Sequence, residues 1–401
     1  MSPKKVEQPE EGNRLPDEIC VDLLSRLPAK SICRFRCVSK PWKSLFSQPH
    51  FTKSHLKRMK DLQIEEESSI ILVSRDSGSL YSAQIKNAHH HGNEIIVSAT
   101  KLTLGDHRFH SSSIQMASCD GLIIVMDVEK KLVLINPSTR EFKELPSSPD
   151  AVEPLCWGIG YDSIDDDYKV VVICFDGSDN MMFVNLYSVR NDTWDRVENC
   201  PFNHELATHL VFVDGFIYWR AGVFDSIAAF DLEEEELYIV TFPGFVDTTR
   251  KDPDPDPDPD PDPDPDRNST DSEESHDCSD EYQLDNLVAL GGRLCFYPES
   301  ITDTCHEMFV AMMEESDNKE SWTRISFSND SGSLYRPICL LKRKQMVLVM
   351  DEENANEKLV MYNFVEEDFK DIVLHGITET FGVGGSFMET LVSPHCTNEA
   401  V

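Results

Sequence analysis

At 401 residues, 40% of them hydrophobic, the chain is long enough for two or three domains with real cores. A net charge of −35 sets it against nucleic-acid phosphates, which it would repel. No stretch approaches the roughly 18 apolar residues of a membrane span, and polar Met1–Asn13 has no apolar run of a secretion signal, so it reads as a disordered lead-in.

Without the 14 acids and one arginine of Asp252–Glu281 the charge is still −22, so the folded part is acidic too. That surface either steers a basic partner or is simply solvated. Twelve cysteines occur singly, with no C-x-x-C pair, which fits reduced thiols in the cytoplasm or nucleus.

The first pattern is helical. Pro16 suits a first helical turn, and Asp17 and Glu18 place negative charge at the positive end of the dipole. Ile19, Leu23 and Leu27 recur in steps of four on one face, with Leu24 widening the stripe, and Pro28 stops the helix. A second helix runs through Ile32, Phe35, Arg36 and Val38. A third starts at Ser39, a good N-cap, with Pro41 just inside and Trp42, Leu45 and Phe46 as its apolar set. A fourth begins at Pro49, with Phe51, Leu56 and Met59 inward. So small a bundle buries too little surface to be stable alone, so the rest of the chain or a partner must complete it.

Leu15-Pro16-Asp17-Glu18-Ile19, then Leu23–Ser31, then Arg34–Trp42 together resemble a plant F-box spanning residues 14–60. The resemblance implies a three-helix module that docks on the Skp-family adaptor of a cullin-based (SCF) ubiquitin ligase. Carried over residue by residue, it puts Leu15, Pro16, Ile19, Leu24, Leu27, Pro28 and Val38 in or beside the adaptor interface. From the residues alone, these side chains fit the core of a small helical domain as well. Leu23, Phe35 and Trp42 suit either role, whereas Leu15-Pro16, with little chain before them, favour a partner.

After Glu65-Glu66-Glu67 the texture becomes β. Ile70–Ser74 and Ser79–Ile85 are short strands around an Asp76-Ser77-Gly78 turn. His89–His91 falls in a polar loop where nothing nearby completes a metal-ligand set, and the pair His107 and His110 is discounted likewise. One unit then recurs at 131–145, 184–197, 227–240, 308–325 and 359–373: an apolar strand, a polar turn, a bulky residue and a hydrophobic one three on. The bulky residues Phe142, Trp194, Leu237, Trp322 and Phe369 stand 52, 43, 85 and 47 residues apart, and the long step contains the acidic insertion. Repeats of about 40–50 residues, none able to bury its face alone, mark propeller blades. The expected fold is multidomain and mainly β: an α-helical F-box followed by a β-propeller of about six blades.

Cys119–Leu122, Asn136–Arg140, Leu145-Pro146, Gly158–Asp162 and Asp166–Val170 are similar to the kelch-like F-box-associated (FBA) domain found behind plant F-boxes, here over residues 70–390. Strict kelch repeats differ, because the Gly-Gly doublet recurs only at Gly291-Gly292 and Gly384-Gly385. Relatives under this resemblance act in immune-receptor turnover or in pollen recognition of ribonucleases. Within the domain, 251–281 opens with alternating Asp-Pro, which forbids helix and sheet pairing, so it reads as a disordered insertion. A tolerated repeat expansion and a partner-binding or phosphorylated tail (Ser269, Thr270, Ser272, Ser275) both fit it.

No nucleophile elbow, phosphate loop or paired Cys/His spacing occurs in the sequence. Three consecutive acids, Asp165–Asp167, cannot all face one ion and read as a solvated turn. Trp157, Tyr161, Trp219 and Phe224 flank loops and belong either to a recognition face or to blade core. The combined expectation is a non-catalytic substrate receptor, without cofactor or metal, that joins the adaptor and its cullin to an unidentified target protein. Two alternatives stand beside it: a propeller enzyme or carbohydrate-binding propeller whose helices are decoration, and an F-box scaffold that does not promote degradation. Target-binding residues are not legible.

Overall fold

Pro28 separates the first two helices as expected. The computed structural model describes residues 17–63, 69–85, 88–91, 94–110, 115–148, 154–176, 181–200, 210–220, 226–241, 286–297, 307–314, 321–328, 335–341, 344–351 and 357–395. The lead-in, Leu15, Pro16, Phe224 and the Asp-Pro insertion with its four hydroxyl residues lie outside them. Four helices come first: α1 (Asp17–Leu24), α2 (Ala29–Phe35), α3 (Lys40–Phe46) and α4 (Pro49–Gln63). Ser39 caps α3 by accepting from the Trp42 backbone N–H, with Pro41 in the first turn where no donor is needed.

Between Ser69 and Phe387 the described strands pair antiparallel, with one parallel exception. Four separate four-stranded sheets span Ala117 to Glu144, Pro154 to Cys200, Val211 to Thr241 and Asn286 to Ser328. A fifth sheet has nine strands and divides by its pairings into two further units. One is the meander from Tyr335 to His375. The other joins the last strand, Phe381–Phe387, to Ser69–Ser74, Leu80–Gln84 and Glu94–Lys101 from the start of the β region. Parallel pairing of Asp371–His375 with Glu94–Ser98 fuses the two. The short strand His89–His91 pairs with the start of Glu94–Lys101. The loop reading of the three histidines is therefore corrected.

Counting the closing unit as blade 1 and continuing in chain order gives six blades. Their innermost strands touch in a closed circle: Phe381–Phe387, Ala117–Cys119, Pro154–Asp162, Val211–Val213, Asn286–Leu290, Tyr335–Leu341, and back to the first. The apolar side chains form six clusters, one between each pair of neighbouring blades. Alternation explains how continuous apolar runs serve this. Leu122 and Ile124 face blade 3 while Ile123 and Val125 face blade 1, so each sheet is buried on both sides.

The five repeated sequence units are the outer hairpins of blades 2 to 6. Their bulky residues occupy equivalent register positions, Phe142 opposite Ile135, Trp194 opposite Tyr187, Leu237 opposite Phe230, Trp322 opposite Met313 and Phe369 opposite Tyr362. Each packs into the cluster shared with the preceding blade. Two residues before four of them the backbone turns left-handed, with φ of 63° at Arg140, 57° at Asp192, 55° at Glu235 and 53° at Glu367. Asn136, Asp231 and Asn363 open three of these turns by accepting two backbone N–H groups each, which offsets the unfavourable φ.

Candidate functional site

The helical module has a core of six buried residues. Leu24, Ala29, Ile32, Phe46 and Phe51 come from the helices, and the sixth is Leu391 from the far end of the chain. Phe35 and Trp42 lean against this core with ring centroids 5.5 Å apart. Stacked on Phe51, the His55 ring lies fully inside, one nitrogen 3.0 Å from the Leu27 carbonyl and the other unpartnered; burial pushes its pKa down. An imidazole so placed is neutral, its N–H donating to Leu27.

The expected stripe on α1 needs correcting. Val21, Leu24 and Leu27, spaced by three, turn inward, whereas Ile19 and Leu23 are 47% and 50% exposed. Val38 is 66% exposed and Pro28 is exposed as well. Of the residues expected at the adaptor interface, Ile19, Pro28 and Val38 therefore keep their side chains exposed. Leu24 does not: it is buried in the module's own core, and Leu27 is half-buried against it. Leu15 and Pro16 lie outside the described residues.

The opposite side of the module sits on one face of the propeller. Contacts fall on the turns that join first to second and third to fourth strands of blades 2 and 3. Lys60 of α4 reaches Asp120 at 2.8 Å and lies 5.9 Å from the Tyr161 ring centroid. Lys53 of the same helix pairs with Asp166. From α2, Cys33 Sγ points to the Ser138 carbonyl, and Arg36 just beyond it reaches Glu141 at 3.4 Å. Leu56 packs into the cluster between blades 2 and 3.

Between module and propeller runs the segment Met388–Ser393, which follows the closing strand directly. Its side chains alternate. Thr390 is buried and donates to the Asp120 carbonyl at 2.7 Å, Leu391 enters the helical core, and Val392 enters the cluster between blades 2 and 3. Asn136, fully buried, donates to the carbonyls of Thr390 and Val392 at 3.2 and 2.6 Å. Lys30 and Glu389 close the arrangement at 3.1 Å. Sequence reasoning singled out neither this segment nor its contacts; the only signal was an apolar Leu391-Val392 pair beyond the last strand.

Two family patterns match the chain: the F-box domain at residues 13–54 and the F-box associated beta propeller domain at 69–253. The chain is an F-box protein of the plant type, with an F-box-associated propeller. It is 29% identical over 386 residues to F-box protein CPR1 of Arabidopsis thaliana, which covers 87% of this chain and 82% of that protein. It is also 26% identical over 245 residues to the Arabidopsis F-box/kelch-repeat protein At3g23880, covering 56% of this chain and 64% of that one. Arabidopsis F-box protein At5g49610 is 24% identical over 254 residues, with 66% of its length spanned. Among solved structures, TolB from Acinetobacter baumannii aligns over 83% of this chain and 70% of its own, at 10% identity and a TM-score of 0.45.

In this F-box protein the three acids Asp165–Asp167 are not the solvated turn expected. Asp166 is held by Lys53, Arg190 and the Tyr161 hydroxyl. Burial opposes its charge, yet these partners keep its carboxyl below the ordinary range. Asp167 is buried and accepts from Ser188 and the Arg190 backbone. Only Asp165 stays largely in solvent. Two residues on, Lys169 is buried between blades 3 and 4, 2.7 Å from Asp162 and 2.8 Å from Glu235. Desolvation works against its charge, and the two carboxylates still raise its pKa above the usual lysine value.

Trp157 and Trp219 are buried in blade core, while Tyr161 lies under α4. His107 bonds Asp127 at 2.7 Å, and no group of three metal-ligating side chains occurs among the described residues. Cys20, Cys33, Cys37, Cys119, Cys156, Cys174, Cys295 and Cys339 are thiols outside any disulfide. Innermost strands of five blades line a small, open central cavity of about 120 Å³, whose lining includes Ser118, Phe212, Ala289 and Pro337, with Arg336 as its charged group.

Proposed function

We propose that this chain is the substrate-recognition subunit of an SCF-type ubiquitin ligase. The F-box would hold the Skp-family adaptor, and through it the cullin, while the propeller holds the target protein. One observation carries the reading: Ile19, Leu23 and Val38 stay exposed on a module whose other large apolar side chains, among the described residues, are buried or half-buried against its own core and the propeller. Exposed large apolar groups on a small module mark a protein interface. The family match supports the same role.

The work is done by proximity. Holding a target's lysines beside a ubiquitin-charged enzyme raises their effective concentration, and this chain breaks no covalent bond itself. We place target binding on the propeller face away from α1–α4. On that face lie the C-terminal ends of the second and fourth strands of the blades. An acidic surface favours a basic target, and the thiols outside any disulfide fit the cytoplasm or nucleus.

The experiment is co-purification with a plant Skp-family adaptor, wild type beside Ile19→Glu/Leu23→Glu. Both side chains are exposed, so the variant should keep its circular dichroism spectrum and lose the adaptor. Retention of the adaptor by a folded variant would sink the proposed surface. A folded wild type that fails to bind any Skp-family adaptor would sink the reading itself.

A further inference from the structure

Leu391 stands 352 positions after Ser39, yet it is 2% exposed inside the F-box core. A core of six residues has no redundancy: removing one large member leaves a cavity that the short α2 and α3 must collapse around. From this we infer that Met388–Ser393 is a working part of the F-box, and that adaptor binding depends on it. The inference rests on the adaptor reading above.

The placement is specific. Because the side chains alternate, a slip of one residue along the segment would withdraw Leu391 and present Thr390 or Val392 in its place. Asn136 prevents that slip by bonding the carbonyls on either side of Leu391. Gly121 makes the passage possible. A Cβ there would stand 2.4 Å from Thr390 Oγ1 and 2.5 Å from the Met388 carbonyl oxygen, and its φ of 84° suits glycine.

The segment also follows Phe381–Phe387, the strand that closes the propeller ring against Ser69–Ser74. Leu391 reaches the F-box only when that strand is in place. The F-box of this chain is thus completed last, and its competence reports that the propeller has closed. A chain that ends early, or whose ring fails to close, carries every F-box residue in sequence and still presents a loosened adaptor surface.

Adaptor affinity and hydrogen–deuterium exchange of the full chain test this, with wild type beside Leu391→Ala, Gly121→Ala and a chain ending at Phe387. Gly121→Ala leaves every F-box and segment residue in place while obstructing the path. All three are expected to weaken adaptor binding by about tenfold or more, with faster exchange in α2 and α3 and unchanged exchange in Asn286–Leu290. Wild-type affinity and protection in the shortened chain and in Leu391→Ala would overturn the inference. Wild type that fails to bind would overturn the adaptor reading and the dependence together. Faster helix exchange in the variants would even then retain the segment's part in the F-box core.

Discussion

Lys60 Nζ lies 2.8 Å from Asp120 Oδ1, joining the last helix of the F-box to the first turn of blade 2. The Asp120 side chain is only 6% exposed and also accepts from the Tyr168 hydroxyl at 3.1 Å. Its carboxylate therefore depends on Lys60 for its charge partner. Lys60→Met should lower stability by about 1–3 kcal/mol, read as a drop in Tm, because a buried acceptor is left underbonded. Adding Asp120→Asn should recover part of the loss; a double variant no better than the single would contradict the pairing.

Gly160 sets how closely blades 3 and 4 approach. A Cβ there would meet Leu232 Cδ1 at 2.4 Å and Phe212 Cδ2 at 2.5 Å. Gly160→Ala should cost about 3 kcal/mol in urea unfolding, since packed neighbours have to shift. Gly215→Ala, with nothing within 4 Å of its Cβ but a φ of 88°, should cost only about 1 kcal/mol. Equal losses would mean that Leu232 and Phe212 yield to the added Cβ at little cost, so that blade packing at Gly160 is not tight.

His55 makes the F-box sensitive to acid. Burial holds the folded pKa below the ordinary 6.5, so the folded form stays neutral while the unfolded chain takes up a proton. Stability from this group is complete above that value and is lost as pH falls below it toward the folded pKa. Exchange protection in α4 should decline between pH 7.5 and pH 5.5, on the order of tenfold for each pKa unit of depression that the window spans. His55→Gln keeps a donor for the Leu27 carbonyl and should flatten the profile; a decline of the same size in that variant would assign the effect elsewhere.

Lys169 neutralises Asp162, a neighbour in blade 3 whose side chain is 1% exposed, at the gap toward blade 4. Lys169→Met removes the cation and leaves the carboxylate buried with two backbone N–H donors, from Ile164 and Asp165. A loss of about 3 kcal/mol in thermal unfolding is expected. Lys169→Arg, whose fork does not fit a point-charge site, should recover only part of it. Full tolerance of Lys169→Met would show that the two backbone donors suffice.

Much of this architecture was legible in advance. The outer hairpins, their bulky residues and the two-sided apolar strands follow from alternation and turn chemistry, which act over a few residues. The helix stops and caps at Pro28 and Ser39 are local in the same way. Less legible was the direction of each helical side chain. Leu23 and Leu24 are neighbours of identical chemistry, and only their seat against Ile32 and Phe46 sends one inward and leaves the other in solvent. Asp165–Asp167 look like one solvated run, yet Lys53 and Ser188 draw two of them to different partners.

What the sequence determined by itself was the family, the repeating blade unit and the order of helical module and propeller, because each is written in short-range spacing. Only the tertiary structure decided where the F-box sits and what completes it. Thr390 meets Asp120, and Leu391 joins the cluster of Ile32 and Phe46, across hundreds of residues. Periodicity records which side of a strand is apolar, but not what that side will touch once the ring has closed.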